Sequence, residues 1–311
     1  MNMPMEAIQS LIANVEKVII GKRSVIELAV VSMLCRGHVL LEDVPGTGKT
    51  MLARALARSV EVEMKRLQCT PDLLPSDITG VPIYNQKTMD FEFRPGPAFT
   101  NILLADEINR ATPRAQSALL ECMEEFNVSV DGVSYPLPDV FMVLATQNPI
   151  DMAGTHPLPE AQLDRFFVRL RVGYPTPEEE LRILDAQAKQ HPIESLQPVI
   201  GSAEIIAARE AAKAVYINAD VAHYIVSISD ATRKHADLRL GVSPRGSLAL
   251  ARGSQALAFL HGKNFVSPDI VKFMASAVLE HRLILRPQAA ALGKSAHDVL
   301  HEILNQLPPP V

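Results

Sequence analysis

Apolar residues recur at helical spacing at the start of the chain, at Ile8, Leu11, Ile12, Val15 and Ile19, so Met5 to Val18 is expected to be a helix with one buried face. Ser24 to Arg36 predicts a second. The period then changes. His38-Val39-Leu40-Leu41 is a short apolar run ending in a glycine-rich turn, and Thr50 to Ser59 resumes helical spacing, which predicts strand, loop, helix. The alternation continues with strands expected over Glu63 to Cys69, Ile102 to Ala105, Phe141 to Ala145 and Phe166 to Leu170, and a helix over Ala115 to Glu125. Strands that alternate with helices and are apolar on both faces belong to a mainly parallel sheet covered on both sides.

Two segments interrupt this rhythm. Thr70 to Thr100 carries Pro71, Pro75, Pro82, Pro95, Pro97 and two glycines, too long for an ordinary connection, and is expected to be an irregular functional loop. Val128 to Val130, Asp131-Gly132 and Val133 to Leu137 predict a hairpin, because an Asp-Gly pair suits the tight turn between alternating residues. At Gly173-Tyr174-Pro175-Thr176-Pro177 the composition shifts. Thr176 and Glu179 fit a capping box with Pro177 at the first helical position, so the chain is expected to divide into residues 1–173 and 174–311. Beyond the boundary the pattern is helical with no convincing strand, and Ser243-Pro244 and Ser267-Pro268 repeat the cap-then-proline start. Pro308 to Pro310 looks like a frayed end.

At 311 residues the chain can bury a large α/β domain and a smaller one. Its 48% hydrophobic and 21% charged content excludes disordered and collagen-like classes. A net charge of -5 without a long Lys/Arg run argues against a nucleic-acid partner. Cys35, Cys69 and Cys122 are far apart and read as buried thiols, not ligands. Glu6, Gln9 and Ser10 stand where a signal peptide needs an apolar core, and no apolar run reaches membrane-spanning length, so a cytoplasmic location is expected.

Candidate chemistry gathers at the ends of the predicted strands. Val44-Pro45-Gly46-Thr47-Gly48-Lys49-Thr50 lies between strand and helix, as a phosphate-binding loop requires. Glycines let backbone N–H groups converge on phosphate oxygens, Lys49 would neutralise the β- and γ-phosphates, and Thr50 would ligate Mg²⁺. Pro45, Gly46, Thr47, Gly48, Lys49 and Thr50 are therefore candidate ATP contacts. Asp43 stands where the general pattern has its first glycine. The strand Ile102 to Ala105 runs into Asp106-Glu107, of which Asp106 can hold Mg²⁺ and Glu107 can polarise an attacking water. A third strand ends in Thr146-Gln147-Asn148-Pro149, where Asn148 could orient that water or simply form a turn before proline.

These strand ends, in this order, resemble the AAA+ superfamily. The blocks Leu40 to Thr50, Phe93-Arg94-Pro95-Gly96-Pro97, Asp106 to Ala111, Gln116 to Glu121, Ala145 to Pro149 and Leu158 to Phe166 are similar to those of the MoxR family, in which the Asp43 departure is usual. The resemblance implies an α/β P-loop core with a five-stranded parallel sheet, then a small all-helical lid. It also implies a homo-oligomeric ring, usually hexameric, and ATP hydrolysis coupled to chaperone-like remodelling or metal-cofactor activation of a client, often beside a von Willebrand factor A domain protein. Arg165 resembles the arginine finger that acts on a neighbour, with a surface arginine paired to Asp164 or Glu160 as the alternative. Arg245 resembles sensor 2, reaching the γ-phosphate of its own subunit from the lid, or is an exposed first-turn arginine. Ile20 and Gly21 match the adenine-contacting segment, though Gly21 also suits a helix C-cap. Arg110 and Arg114 read as solvated or pore-side, and His156 as a loop residue. A nucleic-acid motor, a magnesium-chelatase-type subunit and a scaffold that binds ATP without turnover are the rival functions.

Overall fold

The structure is a computed structural model that describes residues 3–44, 46–148, 154–188 and 191–310. Strands run, in chain order, β1 (Val39–Glu42), β2 (Met64–Gln68), β3 (Gly80–Asn85), β4 (Asp90–Pro95), β5 (Ile102–Asp106), β6 (Asn127–Val130), β7 (Val133–Pro136), β8 (Met142–Gln147), β9 (Val168–Leu170), β10 (Leu238–Leu240) and β11 (Ile284–Leu285). Five of them form a parallel sheet in the order β2-β5-β8-β1-β9. The apolar runs of β1, β5 and β8 sit at its centre, buried apart from their carboxyl ends. Helices Met3–Glu16, Arg23–Leu34 and Lys49–Ser59 cover one face and Pro113–Glu125 packs on the other. Ala105 pairs with Ala145, so the next residues, Asp106 and Thr146, emerge side by side. Gln68 pairs with Asp106 from the other side. In such a sheet the crevice beyond the strands' carboxyl ends is the usual ligand site.

Thr70 to Thr100 is not the irregular loop that its prolines predict. It folds into a short helix, Pro75–Thr79, and the antiparallel hairpin β3–β4. Pro75 starts the helix, where its missing N–H costs nothing, and Pro82 and Pro95 sit in a ribbon with two open edges. The glycines serve a close crossing. A Cβ on Gly96 would lie 2.4 Å from the Ile78 carbonyl, and one on Gly80 2.3 Å from that of Arg94. The hairpin β6–β7 turns at Asp131-Gly132 as expected, both residues having positive φ (51° and 79°). Phe93 and Tyr135 stack with centroids 4.2 Å apart, joining the two hairpins.

The second half is helical around Pro177–Gln187, Ser202–Lys213, Ala219–Lys234, Pro244–Leu260, Pro268–Leu279 and Ala296–Gln306. The Thr176/Glu179 capping box forms, and the Ser243 hydroxyl accepts from Gly246 N at 3.3 Å. Pro268 begins its helix, but the Ser267 hydroxyl makes no cap bond. A ribbon, β10–β11, joins these helices. Strands of three and two residues are too short to leave a period-two signal. Phe167, beside β9, reaches the helix Pro244–Leu260 at Gly253, where a Cβ would lie 3.2 Å from its ring. One apolar core therefore runs from the sheet into the helical half.

Candidate nucleotide site

The loop after β1 gains its shape from Gly46 (φ 82°) and Gly48 (φ 87°), in the left-handed region that favours glycine. A Cβ at either would meet nothing within 4 Å, so backbone conformation and not crowding calls for glycine there. Lys49 opens the following helix, and its ammonium donates to the carbonyls of Asp43 and Val44 at 2.5 and 3.3 Å. Partial burial lowers the Lys49 pKa, against the attraction of Asp43, Asp106 and Glu107. Asp43 has its own work here. Its Oδ1 accepts from Val44 N at 2.9 Å and its Oδ2 from Gly173 N at 2.6 Å, tying the loop to the segment after β9. Pro45 lies outside the described residues.

Asp106 ends β5 with both carboxylate oxygens engaged, Oδ1 by the Thr146 hydroxyl and Oδ2 by Arg66 of β2, each at 2.6 Å. Glu107 adopts a left-handed backbone (φ 57°), and its Oε2 accepts from Gln68 at 3.2 Å and Arg110 at 3.1 Å. The carbonyl of Asn148 accepts from Asn109 at 3.4 Å. Gly46, Gly48, Lys49, Thr50, Asp106, Glu107 and Asn148 line one cavity of about 370 Å³, with Met51 and Thr146. Its donors fit a nucleoside triphosphate, since open amides, a helix N-terminus and an ammonium face two carboxylates across a polyphosphate-sized space. Among the described residues no cluster of three His, Cys, Asp or Glu could hold a metal ion unaided. Thr50 and Asp106 fit a cation that phosphate oxygens also ligate.

The remaining candidates lie elsewhere. Ile20 and Gly21 do not line this cavity; Gly21 abuts the start of the helix Pro177–Gln187, where a Cβ on it would overlap the Glu179 carboxylate. Arg165 and Arg245 also lie outside it and line a separate cavity of about 430 Å³. Arg165 Nε lies 3.0 Å from Glu124 Oε2, and Arg245 binds the other oxygen of the same carboxylate. Neither Asp164 nor Glu160 is the partner of Arg165; Asp164 pairs with the buried Arg282 at 2.7 Å and Glu160 with Arg239. Arg245 therefore stands on the Arg165 face and not among the residues that line the phosphate cavity. A larger cavity of about 560 Å³, between Asp164 and the β10–β11 ribbon, gathers none of the candidate groups. Arg66, Gln68, Thr146 and Glu124 carry contacts that sequence spacing did not single out. Of these only Thr146 left a signal, as part of the polar tip that ends β8.

The description "ATPase family associated with various cellular activities (AAA)" matches residues 38–168, and "AAA lid domain" matches 230–303. Chaperone MoxR1 of Mycobacterium tuberculosis is 40% identical over 302 residues, covering 94% of this chain and 80% of its own. The chain belongs to the MoxR family of AAA+ ATPases. YeaC, an uncharacterized Bacillus subtilis protein, is 51% identical over 300 residues, with 96% of this chain and 94% of YeaC covered. A Cytophaga hutchinsonii crystal structure with an inferred ATPase assignment superposes with a TM-score of 0.93 at 36% identity, over 99% of this chain and 96% of that one. This MoxR-family protein is an ATPase built from an AAA core and an AAA lid. Among the described residues no helix is long and apolar enough to cross a membrane.

Proposed function

We propose that the chain hydrolyses ATP with Mg²⁺ and couples the hydrolysis to chaperone-like remodelling or metal-cofactor activation of a client protein. The observation that carries this reading is the convergence of the phosphate loop, Asp106, Glu107 and Asn148 on one cavity. Gly46, Thr47, Gly48 and Lys49, with Pro45, hold the phosphates, and Thr50 and Asp106 hold the cation. Mg²⁺ supplies charge neutralisation on the transferring phosphoryl group. Glu107 polarises the water that Asn148 orients, and Ile20 and Gly21 receive the adenine.

Arg165 and Arg245 stand together outside the phosphate cavity of their own chain. A cation that stabilises developing phosphoryl charge must touch it, so we assign both arginines to a neighbouring subunit's nucleotide, in a ring of about six like those usual among its relatives. The core, residues 1–173, and the lid, residues 174–311, would then move against each other during turnover. The relative named Chaperone MoxR1 and the net charge of -5 favour a protein client over nucleic acid. A von Willebrand factor A domain protein is the partner we would seek first, in the cytoplasm.

Subunit mixing tests the trans site. Glu107→Gln and Arg165→Ala should each bind ATP and hydrolyse it slowly, and their mixture should recover activity where an intact Glu107 meets an intact Arg165. Verified co-assembly without recovery would reject the shared site.

A further inference from the structure

The two arginines are joined by more than proximity. Glu124, near the end of the helix Pro113–Glu125, gives one carboxylate oxygen to Arg165 and the other to Arg245. A second link runs parallel to the first, since the Ser243 hydroxyl, two residues before Arg245, donates to Asp164 Oδ2 at 3.1 Å, beside Arg165. Asp164 is itself held by the buried Arg282, which also donates to the Phe166 carbonyl at 2.7 Å. The end of the helix that carries Glu124 is fixed too. Phe126 caps it in a left-handed conformation (φ 52°), with the Arg36 guanidinium 4.3 Å from its ring centroid.

Two neighbouring guanidinium groups repel, and each long side chain loses rotamer freedom when it is held in one place. A carboxylate between them removes both difficulties. Both arginines remain partly exposed (30% and 48%), so a phosphate can still reach them. We propose that Glu124 is a positioning residue that holds Arg165 of the core and Arg245 of the lid half as one two-arginine head for the neighbouring subunit's phosphates. This rests on the reading that Arg165 acts in trans. Glu124 touches no nucleotide; it acts through the arginines, and so belongs functionally to the subunit that donates them.

The test assigns Glu124 to one side of the shared site. Glu124→Gln should bind ATP with a calorimetric Kd within about two-fold of the parent, since its own phosphate loop is intact, while kcat falls at least ten-fold. Mixed with Glu107→Gln it should recover activity as Arg165→Ala does; mixed with Arg165→Ala it should not, because both lack a working head. Recovery with Arg165→Ala but not with Glu107→Gln, or unchanged kcat, would overturn the proposal. Glu124→Asp keeps the charge and should retain more turnover than Glu124→Gln. Equal loss in both, with a lowered Tm, would make Glu124 a stabilising residue only and overturn it as well. If Glu107→Gln and Arg165→Ala fail to complement each other, the trans reading itself has failed, a separate result.

Discussion

The hydroxyl of Thr146 donates to Oδ1 of Asp106 at 2.6 Å, and its own Oγ1 accepts the backbone N–H of Glu107 at 2.9 Å. One buried side chain on β8 thus fixes two acids at the carboxyl end of the neighbouring strand. The second bond matters because Glu107 holds a left-handed backbone, uncommon for a residue with a Cβ. Thr146→Val keeps the shape but removes both bonds, leaving a backbone donor unpaired at a cost of about 1–3 kcal/mol. Turnover should fall about ten-fold or more, and Thr146→Ser should keep most of it. Parental steady-state hydrolysis in the valine variant would dismiss the relay.

Lys49→Ala addresses binding instead of chemistry. The ammonium is the cation at the head of the phosphate-loop helix, and hydrogen bonds to charged groups contribute about 1.5–3 kcal/mol, so ATP affinity should drop roughly 10- to 100-fold. Calorimetry that finds the same Kd would remove Lys49 from the phosphate site.

Sequence patterning located the parallel sheet because a strand buried on both faces needs an apolar run, and β5 and β8 supply unbroken ones. It located Asp106, Glu107 and Asn148 because they follow such runs closely, and Lys49 because a glycine-rich turn joins β1 to the next helix. Thr70 to Thr100 departs from the expected irregular loop for a physical reason. Its prolines and glycines, which disfavour central strands, are compatible with an isolated ribbon such as β3–β4 and with the close crossing of Gly80 and Gly96. Arg66 and Gln68 were not singled out because they point from the edge strand β2, whose exposed positions carry no apolar signature. Glu124 meets Arg165 and Arg245 across long sequence separations, which no local period reports. Asp43 departs from the general loop pattern visibly, yet only its bond to Gly173 shows what the carboxylate holds.

Arg245→Ala distinguishes action on its own nucleotide from action on a neighbour's. With the guanidinium on Glu124 beside Arg165, Arg245→Ala should join the complementation class of Arg165→Ala, recovering hydrolysis with Glu107→Gln but not with Arg165→Ala. Its own ATP affinity should change less than about two-fold while turnover drops about ten-fold or more, the signature of lost transition-state contact. A large loss of ATP affinity in unmixed Arg245→Ala would return the residue to its own site.

Acid should destabilise the fold through His38. Its ring accepts the Val143 N–H at Nδ1 (3.0 Å) and approaches the Met123 carbonyl at Nε2 (2.9 Å), which fixes one neutral tautomer between the sheet and the helix Pro113–Glu125. Burial, first, and the nearby Arg36 push its pKa from 6.5 down to about 4, against the Met123 hydrogen bond, which raises it. His281, buried beside Arg282, is pushed in the same direction. A folded-state pKa below the unfolded value means that the unfolded chain binds more protons between the two. The stabilisation is therefore complete above about pH 6.5 and is lost as the pH falls toward 4. Between pH 7 and pH 5 the His38 share amounts to on the order of 2 kcal/mol. Carboxylates titrate nearby in pH, so the informative quantity is a difference. His38→Gln, which cannot take up the proton, should be less stable than the parent at pH 7, and the gap should narrow at pH 5. Denaturant unfolding at both pH values measures it, and a gap that stays constant or widens on acidification would refute a neutral buried His38.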